Sequence, residues 1–172
     1  MAFELLYGTH DSTIDEKGRV IIPASLRERY QGELVVTQGN PQSVWVMLPE
    51  QFVKFQQNLK QKWKKINPEQ YQLLHYLFIS PARVAEIDKN SGRIPVTPPV
   101  RTYAGLINKK CMVISSKTRL EIWDSQCYYD YLAKNSAAIQ DAINTVGAPF
   151  YDLDNDDVID DGVDANEAGE IL

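Results

Sequence analysis

The chain has 172 residues, of which 44% are hydrophobic and 24% charged, and this balance excludes both a wholly disordered protein and one embedded in a membrane. Two cysteines are too few for a disulfide framework or an unaided zinc site. No apolar run approaches the length of about 18 residues that a spanning helix needs, and the first residues lack the pattern of a secretion signal. We therefore expect a soluble, cytoplasmic protein.

Charge is distributed unevenly along the chain. Residues 1–134 hold all 18 Lys and Arg together with 13 acidic residues, a net charge of +5. Residues 135–172 hold 10 acidic residues and neither Lys nor Arg. A basic body followed by an acidic tail is typical of proteins that bind polyanions, and it favours nucleic acid as the partner class. A binding surface also requires that the cations cluster, which charge alone does not show.

The sequence contains an internal repeat, and the repeated unit predicts strand, turn, strand, short helix, strand. The corresponding pairs are Ile14-Asp15 with Ile87-Asp88, Gly18-Arg19 with Gly92-Arg93, and Leu26-Arg27 with Val100-Arg101. The second turn is one residue longer than the first. Each glycine stands where a turn favours a left-handed residue. Repetition of a whole supersecondary unit is difficult to obtain by chance.

Amphipathic helices follow each unit, and together they set the predicted domain organisation. Helical spacing of apolar residues predicts helices over 50–66 and 125–146. Between them, Asn67 and Gln70 predict a capping box ahead of a further helix. We expect a first unit with its helix in 1–66, a connecting helix and linker in 67–85, a second unit with its helix in 86–146, and an acidic, disordered tail in 147–172.

The paired turn motifs, D-E-K-G-R at Asp15–Arg19 and D-K-N-S-G-R at Asp88–Arg93, with the helices that follow them, closely resemble the two D-x-x-x-R units of the MraZ family. The resemblance covers roughly residues 1–134. It implies an α+β fold of two pseudosymmetric AbrB-like (SpoVT-AbrB, swapped-hairpin β-barrel) units and a ring-shaped homo-oligomer. It also implies a nucleoid-associated transcriptional regulator of the division and cell-wall gene cluster, including its own promoter. The longer second motif and the acidic extension depart from the family pattern.

The two turns carry the candidate site residues. A turn tip projects its side chains away from the core, and an arginine there can bond phosphate or guanine bidentately. Lysines at the same tips are expected to contact phosphates, which position a protein without specifying sequence. The predicted DNA-binding residues are Arg19, Arg93, Lys17, Lys89, Arg27 and Arg101. The predicted turn-shaping residues are Asp15, Gly18, Asp88 and Gly92.

Structural roles compete with these predictions. Each turn arginine could instead pair with the aspartate of its own turn, because exposed Asp–Arg pairs are common and weak. Arg27 and Arg101 either extend the basic surface or pair with acids such as Glu28 and Glu33. The acidic tail is expected to compete with DNA for the basic tips. A scaffold or protein-interaction module without operator recognition is the alternative to a DNA-binding regulator.

Enzymatic function is not indicated. The two histidines, His10 and His75, have no local signature that would pair them with a cysteine nucleophile. Both cysteines, Cys111 and Cys127, lie in apolar-rich patterns and are expected to be buried thiols. The sequence shows neither a Gly-rich phosphate loop nor a metal-ligand cluster, and the spaced aspartates of the tail lack the glycine and the final acid of a calcium loop. We therefore predict no catalysis, cofactor, metal or small-molecule substrate.

Overall fold

A computed structural model of the chain describes residues 7–107 and 109–147. The chain divides into two compact units, Met1–Tyr129 and Asp130–Leu172. The predictions made for the tail fall, apart from Gly147, outside the described residues. Among the described residues, no helix is both long enough and apolar enough to cross a membrane.

The described residues form eight strands and six helices, which confirms the predicted mixed α+β class. In chain order these are β1 (Gly8–Thr13), β2 (Arg19–Ile21), α1 (Ala24–Arg27), β3 (Leu34–Gly39), β4 (Ser43–Met47), α2 (Pro49–Lys62), α3 (Pro68–Leu74), β5 (Arg83–Ala85), β6 (Arg93–Pro95), α4 (Pro98–Ala104), β7 (Lys110–Ser115), β8 (Leu120–Asp124), α5 (Ser125–Lys134) and α6 (Ser136–Val146). A 3₁₀ turn, Trp63–Lys65, follows α2, and a π-helical turn, His75–Ile79, follows α3.

The two repeats exchange strands with each other. The larger sheet has the order β1-β7-β8-β4-β3-β5, with all pairs antiparallel, so the first strand of each repeat pairs with the third strand of the other. The last strands of the two repeats, β4 and β8, pair at the centre of this sheet. The second strands, β2 and β6, form a separate two-stranded ladder. Swapping the two repeats therefore leaves the strand order unchanged.

The main core draws on both repeats. Its fully buried side chains include Val20, Ile22 and Leu34 from the first repeat, and Ile94 and Ile122 from the second. Side chains alternate between the faces of a strand, so β4 sends Val44 and Val46 into this core and turns Trp45 and Met47 to the opposite face. The sheet is therefore covered on both sides.

A second, aromatic cluster lies on that opposite face. The Phe78 ring stacks on Trp45 with a centroid distance of 5.1 Å, and Phe55 contacts both rings edge-on. Phe52 packs against the same cluster, so the apolar face predicted for the helix after the first repeat is covered near the start of α2, whereas Trp63, beyond its end, is exposed. Burying an aromatic side chain of this size stabilises a fold by roughly 1.5–3 kcal/mol.

The helix boundaries agree with the sequence in part. The predicted capping box is confirmed, because the Gln70 backbone N–H donates to Asn67 Oδ1 at 2.8 Å and the Asn67 N–H donates to Gln70 Oε1 at 3.0 Å. The single helix predicted over 125–146 was wrong: α5 and α6 are separated at Asn135. The Asn135 side chain donates to the carbonyl of Tyr131 at 2.8 Å, and such a local bond competes with the helical backbone ladder.

The two cysteines lie in different environments. Cys111 in β7 is buried, as predicted, and burial raises the pKa of its thiol to about 11. The predicted burial of Cys127 was wrong, because this side chain is exposed in the first turn of α5. Its backbone N–H, one of the donors of the first helical turn, donates to Asp124 Oδ1 at 3.0 Å.

Candidate functional site

The two repeated turns meet at the short ladder formed by β2 and β6. Ile22 N–H donates to the Gly92 carbonyl at 2.8 Å, and Val96 N–H donates to the Gly18 carbonyl at 2.9 Å, so each turn is tied to the strand of the other repeat. Side chains alternate along a strand. Val20 and Ile94 point into the core, and the arginines that start the two strands therefore share the outer face.

The first turn is organised by Asp15. Its Oδ1 accepts hydrogen bonds from the backbone N–H groups of Lys17 at 3.0 Å and Arg19 at 2.9 Å. Its Oδ2 accepts from Arg19 Nε at 2.9 Å and lies 2.8 Å from Arg19 Nη2. Hydrogen bonds from the Arg19 backbone and guanidinium hold the pKa of Asp15 below its usual value. Asp15 therefore bonds both to the backbone of its own turn and to the arginine of that turn.

The second turn is organised differently. Asp88 Oδ1 accepts from the backbone N–H groups of Asn90 at 3.0 Å and Ser91 at 2.6 Å. The Ser91 backbone bond is the main cause that lowers the pKa of Asp88. No ion pair joins Asp88 to Arg93 among the described residues. The extra residue displaces the arginine by one position along the turn, so the carboxylate bonds to other backbone groups.

The arginine of the second turn approaches the aspartate of the first. Arg93 Nε lies 3.6 Å from Asp15 Oδ2, and the positive charge of Arg19 contributes to the lowered pKa of Asp88. Lys17 and Lys89 are exposed at the two tips. The structure therefore brings the two arginines and both aspartates close together, and the two lysines are exposed in the same turns.

Arg27 and Arg101 occupy equivalent positions, each beside the turn of the opposite repeat. Arg27 Nε donates to its own repeat's Ile22 carbonyl at 2.7 Å, and Arg101 Nη1 donates to the Val96 carbonyl at 2.5 Å. Neither residue forms a salt bridge with Glu28 or Glu33 among the described residues. Sequence reasoning missed these carbonyl partners, which lie five residues back in the same repeat, and it missed the approach of each arginine to the turn glycine of the other repeat.

Both turn glycines have the left-handed backbone predicted for them, with φ of 77° at Gly18 and 68° at Gly92. Both positions also leave no room for a Cβ atom. A Cβ added to Gly18 would lie 1.8 Å from Arg101 Nη1, and one added to Gly92 would lie 2.2 Å from the Arg27 guanidinium. An open cleft of about 700 Å³ adjoins the first turn and includes Arg101 and Lys109 in its lining.

The described residues do not include a ligand set for a metal ion at these turns. Within residues 7–107 and 109–147, no group of three or more His, Cys, Asp or Glu side chains is arranged to hold a metal ion. The surface instead combines arginine and lysine side chains with backbone-bonded carboxylates. Such an arrangement can bond to anionic oxygen atoms and to acceptors on the edges of bases.

The fold and this surface define a class of protein: two intertwined copies of one β-rich unit that display arginines at paired turns. A family model described as "MraZ protein, putative antitoxin-like" matches residues 5–74 and 78–146, one match for each repeat. The chain belongs to the MraZ family, as its paired motifs predicted.

The chain is similar to curated relatives over most of the length of each relative. A protein of Arthrobacter sp. (strain FB24) is 31% identical over 146 residues, which cover 85% of this chain and 100% of the relative. A protein of Leifsonia xyli subsp. xyli (strain CTCB07) is 38% identical over 136 residues, 78% of this chain and 91% of the relative. A Thermobifida fusca protein is 35% identical over 130 residues, covering 76% and 88%. Each is named "Transcriptional regulator MraZ", a name that describes a regulator and not an enzyme.

Proposed function

We propose that this protein is a DNA-binding transcriptional regulator that contacts double-stranded DNA with the outer face of the β2–β6 ladder. The observation that carries the proposal is the meeting of Arg19 and Arg93, one from each repeat, at Asp15, with Lys17 and Lys89 exposed in the same two turns. The names of the relatives support the same class of function. The two arginines are suited to guanine or phosphate, and the lysines to phosphate.

Binding to repeated DNA elements by a homo-oligomer is part of the proposal. One chain offers few cations, so it can neutralise few phosphates. Several linked copies would gain affinity through effective concentration. Exposed apolar side chains, among them Leu73, Tyr76 and Val84, offer surface for assembly. The exchanged strands are consistent with the AbrB-like, swapped-hairpin architecture, and we propose the ring assembly of that family for this chain.

The proposed target is the promoter region of the division and cell-wall gene cluster, including that of the protein's own gene, which places the protein in the cytoplasm at the nucleoid. The proposed partners are therefore DNA and further copies of the chain, with no membrane and no small-molecule substrate. We also propose that the acidic tail competes with DNA for the tips. Truncation after Lys134 should then raise DNA affinity, and an unchanged affinity and salt slope would contradict this role.

DNA binding to the region upstream of the protein's own gene tests the proposal. Wild type and the double variant Arg19→Ala/Arg93→Ala are compared at two salt concentrations, with a scrambled duplex of the same composition. We expect specific, salt-sensitive binding that the double variant loses. Lys60→Ala/Lys64→Ala, which removes two exposed cations from α2 and the turn after it, is the charge-matched control. Binding that survives in the arginine variant but fails in the lysine variant would place the DNA surface on that helix.

One observation favours the scaffold alternative. Arg19 is already paired with Asp15, and a paired arginine offers DNA less net charge. A scaffold would remain oligomeric by light scattering and would bind neither duplex at either salt concentration. A stable monomer that binds DNA as tightly as an oligomer would contradict the multivalent mechanism.

A further inference from the structure

The two turns differ in the groups that bond to their aspartate side chains. Every polar contact of the Asp15 carboxylate is short except the one to Arg93: two backbone N–H groups at one oxygen, and Nε and Nη2 of Arg19 at the other. In the part of the chain that the structure describes, the hydrogen bonds of the Asp88 carboxylate stay within its own turn and do not include Arg93. The longer turn has therefore separated its aspartate from its arginine.

The Arg93 side chain consequently makes no hydrogen bond within the described residues, although its backbone is bonded in the turn and the ladder. None of its guanidinium donors has a hydrogen-bond partner in the described part of the chain, and its Nε is buried without one. Only about a third of the side chain is exposed, and its salt-bridge partner among the described residues is Asp15, with Oδ2 at 3.6 Å from Nε. A guanidinium without hydrogen-bond partners is unfavourable, and the exposed part of this side chain can take an acceptor supplied from outside the chain.

We propose that the two arginines have different roles: Arg93 makes the specificity-determining DNA contact, and Arg19 is a positioning residue that occupies Asp15 and so keeps this carboxylate from capturing Arg93. This inference rests on the proposed DNA-binding function and refines it. Both arginines reach the same oxygen of Asp15, but Arg19 holds it with two short contacts. If Arg19 is removed, the guanidinium that remains within salt-bridge distance of Asp15 among the described residues is that of Arg93.

The proposal makes the effect of Arg19 depend on Asp15. Arg93→Ala should weaken binding to the upstream duplex about tenfold or more and reduce its preference over scrambled DNA, as the loss of a bidentate base contact does. Arg19→Ala should also reduce that preference, because Asp15 then pairs with Arg93. Asp15→Asn should restore the preference in the Arg19→Ala background but not in the Arg93→Ala background.

Asp15→Asn is suited to this test because its amide oxygen can still accept the two backbone hydrogen bonds that shape the turn. Asp88→Asn is the matched control, since it removes the same charge from the same surface but from a carboxylate that does not hold an arginine. The readout is the ratio of affinities for the upstream and scrambled duplexes, which a general change in charge does not alter. Circular dichroism and light scattering check the fold and assembly of each variant.

Arg93→Lys covers the case in which Arg93→Ala does not fold. Lysine keeps the charge but lacks the planar fork, so we expect the salt slope to be retained and the preference for the upstream duplex to fall. Rescue of Arg19→Ala by Asp15→Asn but not by Asp88→Asn would support the proposal. Equal rescue by both, or by neither, would overturn it while leaving DNA binding intact. A wild-type protein that does not distinguish the two duplexes would overturn the proposed function itself.

Discussion

The guanidinium of Arg101 lies directly against Gly18, so that even a single methyl group at Gly18 would overlap its Nη1 atom, at 1.8 Å. Arg101 belongs to the second repeat and Gly18 to the first. The reciprocal contact, Arg27 against Gly92, joins the repeats in the opposite direction. Each short helix thus supports the turn of the other repeat, and the arrangement of the candidate site depends on both repeats.

Substitution of Gly18 by Ala should destabilise the fold through two separate effects. The left-handed backbone at this position costs a non-glycine residue about 1–2 kcal/mol. The new methyl group must also displace Arg101 from its hydrogen bond to the Val96 carbonyl, which adds about 1 kcal/mol. Urea denaturation measures the sum of the two effects.

Gly32→Ala separates these two effects. Gly32 has nearly the same φ, 72°, but nothing lies within 4 Å of an added Cβ. The Gly32→Ala variant should therefore be destabilised only by the cost of the left-handed backbone. An equal loss of stability in Gly18→Ala and Gly32→Ala would show that the Arg101 side chain moves aside without a free-energy cost.

The central strand pair contains a titratable group whose pH dependence can be measured. Arg119 stacks on the Trp45 ring at 3.9 Å, and its Nη2 lies 3.8 Å from Glu121 Oε1. Burial raises the pKa of Glu121 above the ordinary value of 4.5, and Arg119 partly opposes this rise. A carboxyl group with a raised pKa in the folded state binds its proton more tightly there than in the unfolded state.

This group should therefore favour folding most below pH 4.5 and lose that contribution as the pH rises through its folded-state pKa. Glu121→Gln should flatten this part of the stability curve. Arg119→Met should make the fall larger, because the opposing charge is gone. The check is the difference in the free energy of unfolding between each variant and wild type from pH 4 to 8. An unchanged pH dependence in Glu121→Gln would show that Glu121 titrates normally.

Thiol labelling should distinguish the two cysteines. Only the thiolate reacts, and the buried thiol of Cys111, with a pKa of about 11, is about 0.1% ionised at pH 8. Cys127 is exposed and should react in the native protein. We expect one fast label at pH 8 and a second after denaturation, with peptide mass spectrometry assigning both. Fast native labelling of Cys111 would contradict the burial of β7.

The cap of α3 offers a prediction about local stability. Asn67→Ala removes the side-chain acceptor of the Gln70 N–H and should cost about 1 kcal/mol, whereas Asn67→Gly should cost only a few tenths. Thermal and urea unfolding can compare the two variants. A larger loss in the glycine variant would show that the backbone of residue 67, and not the capping bond, determines the effect.

The sequence predicts what is local and repeated. The offset between Gly18 and Gly92 located both turns, and the spacing of Asn67 and Gln70 located a helix start, because each signal depends on residues close in the chain. The split at Asn135 was not predicted, since apolar residues continue at helical spacing through it. The exposure of Cys127 was missed because apolar neighbours in sequence do not establish which face of a helix is covered.

The candidate site was predictable in composition but not in bonding. The motifs identified its arginines, lysines and aspartates, and their roles in DNA contact remain a proposal. The contact between Arg93 and Asp15, and the contacts of Arg27 with Gly92 and of Arg101 with Gly18, lie across the two repeats. They depend on how β2 and β6 align, which the sequence of one repeat does not determine.

The exchanged strands also constrain how the chain can be divided. A cut in the segment between the repeats would leave β1 and β3 in one fragment and their partners β7 and β5 in the other, so each piece would expose unpaired strand edges. Neither fragment should fold by itself, yet the two pieces mixed together could rebuild the sheet. The protein is in this sense a dimer joined within one polypeptide, and fragment complementation would reveal that relationship directly.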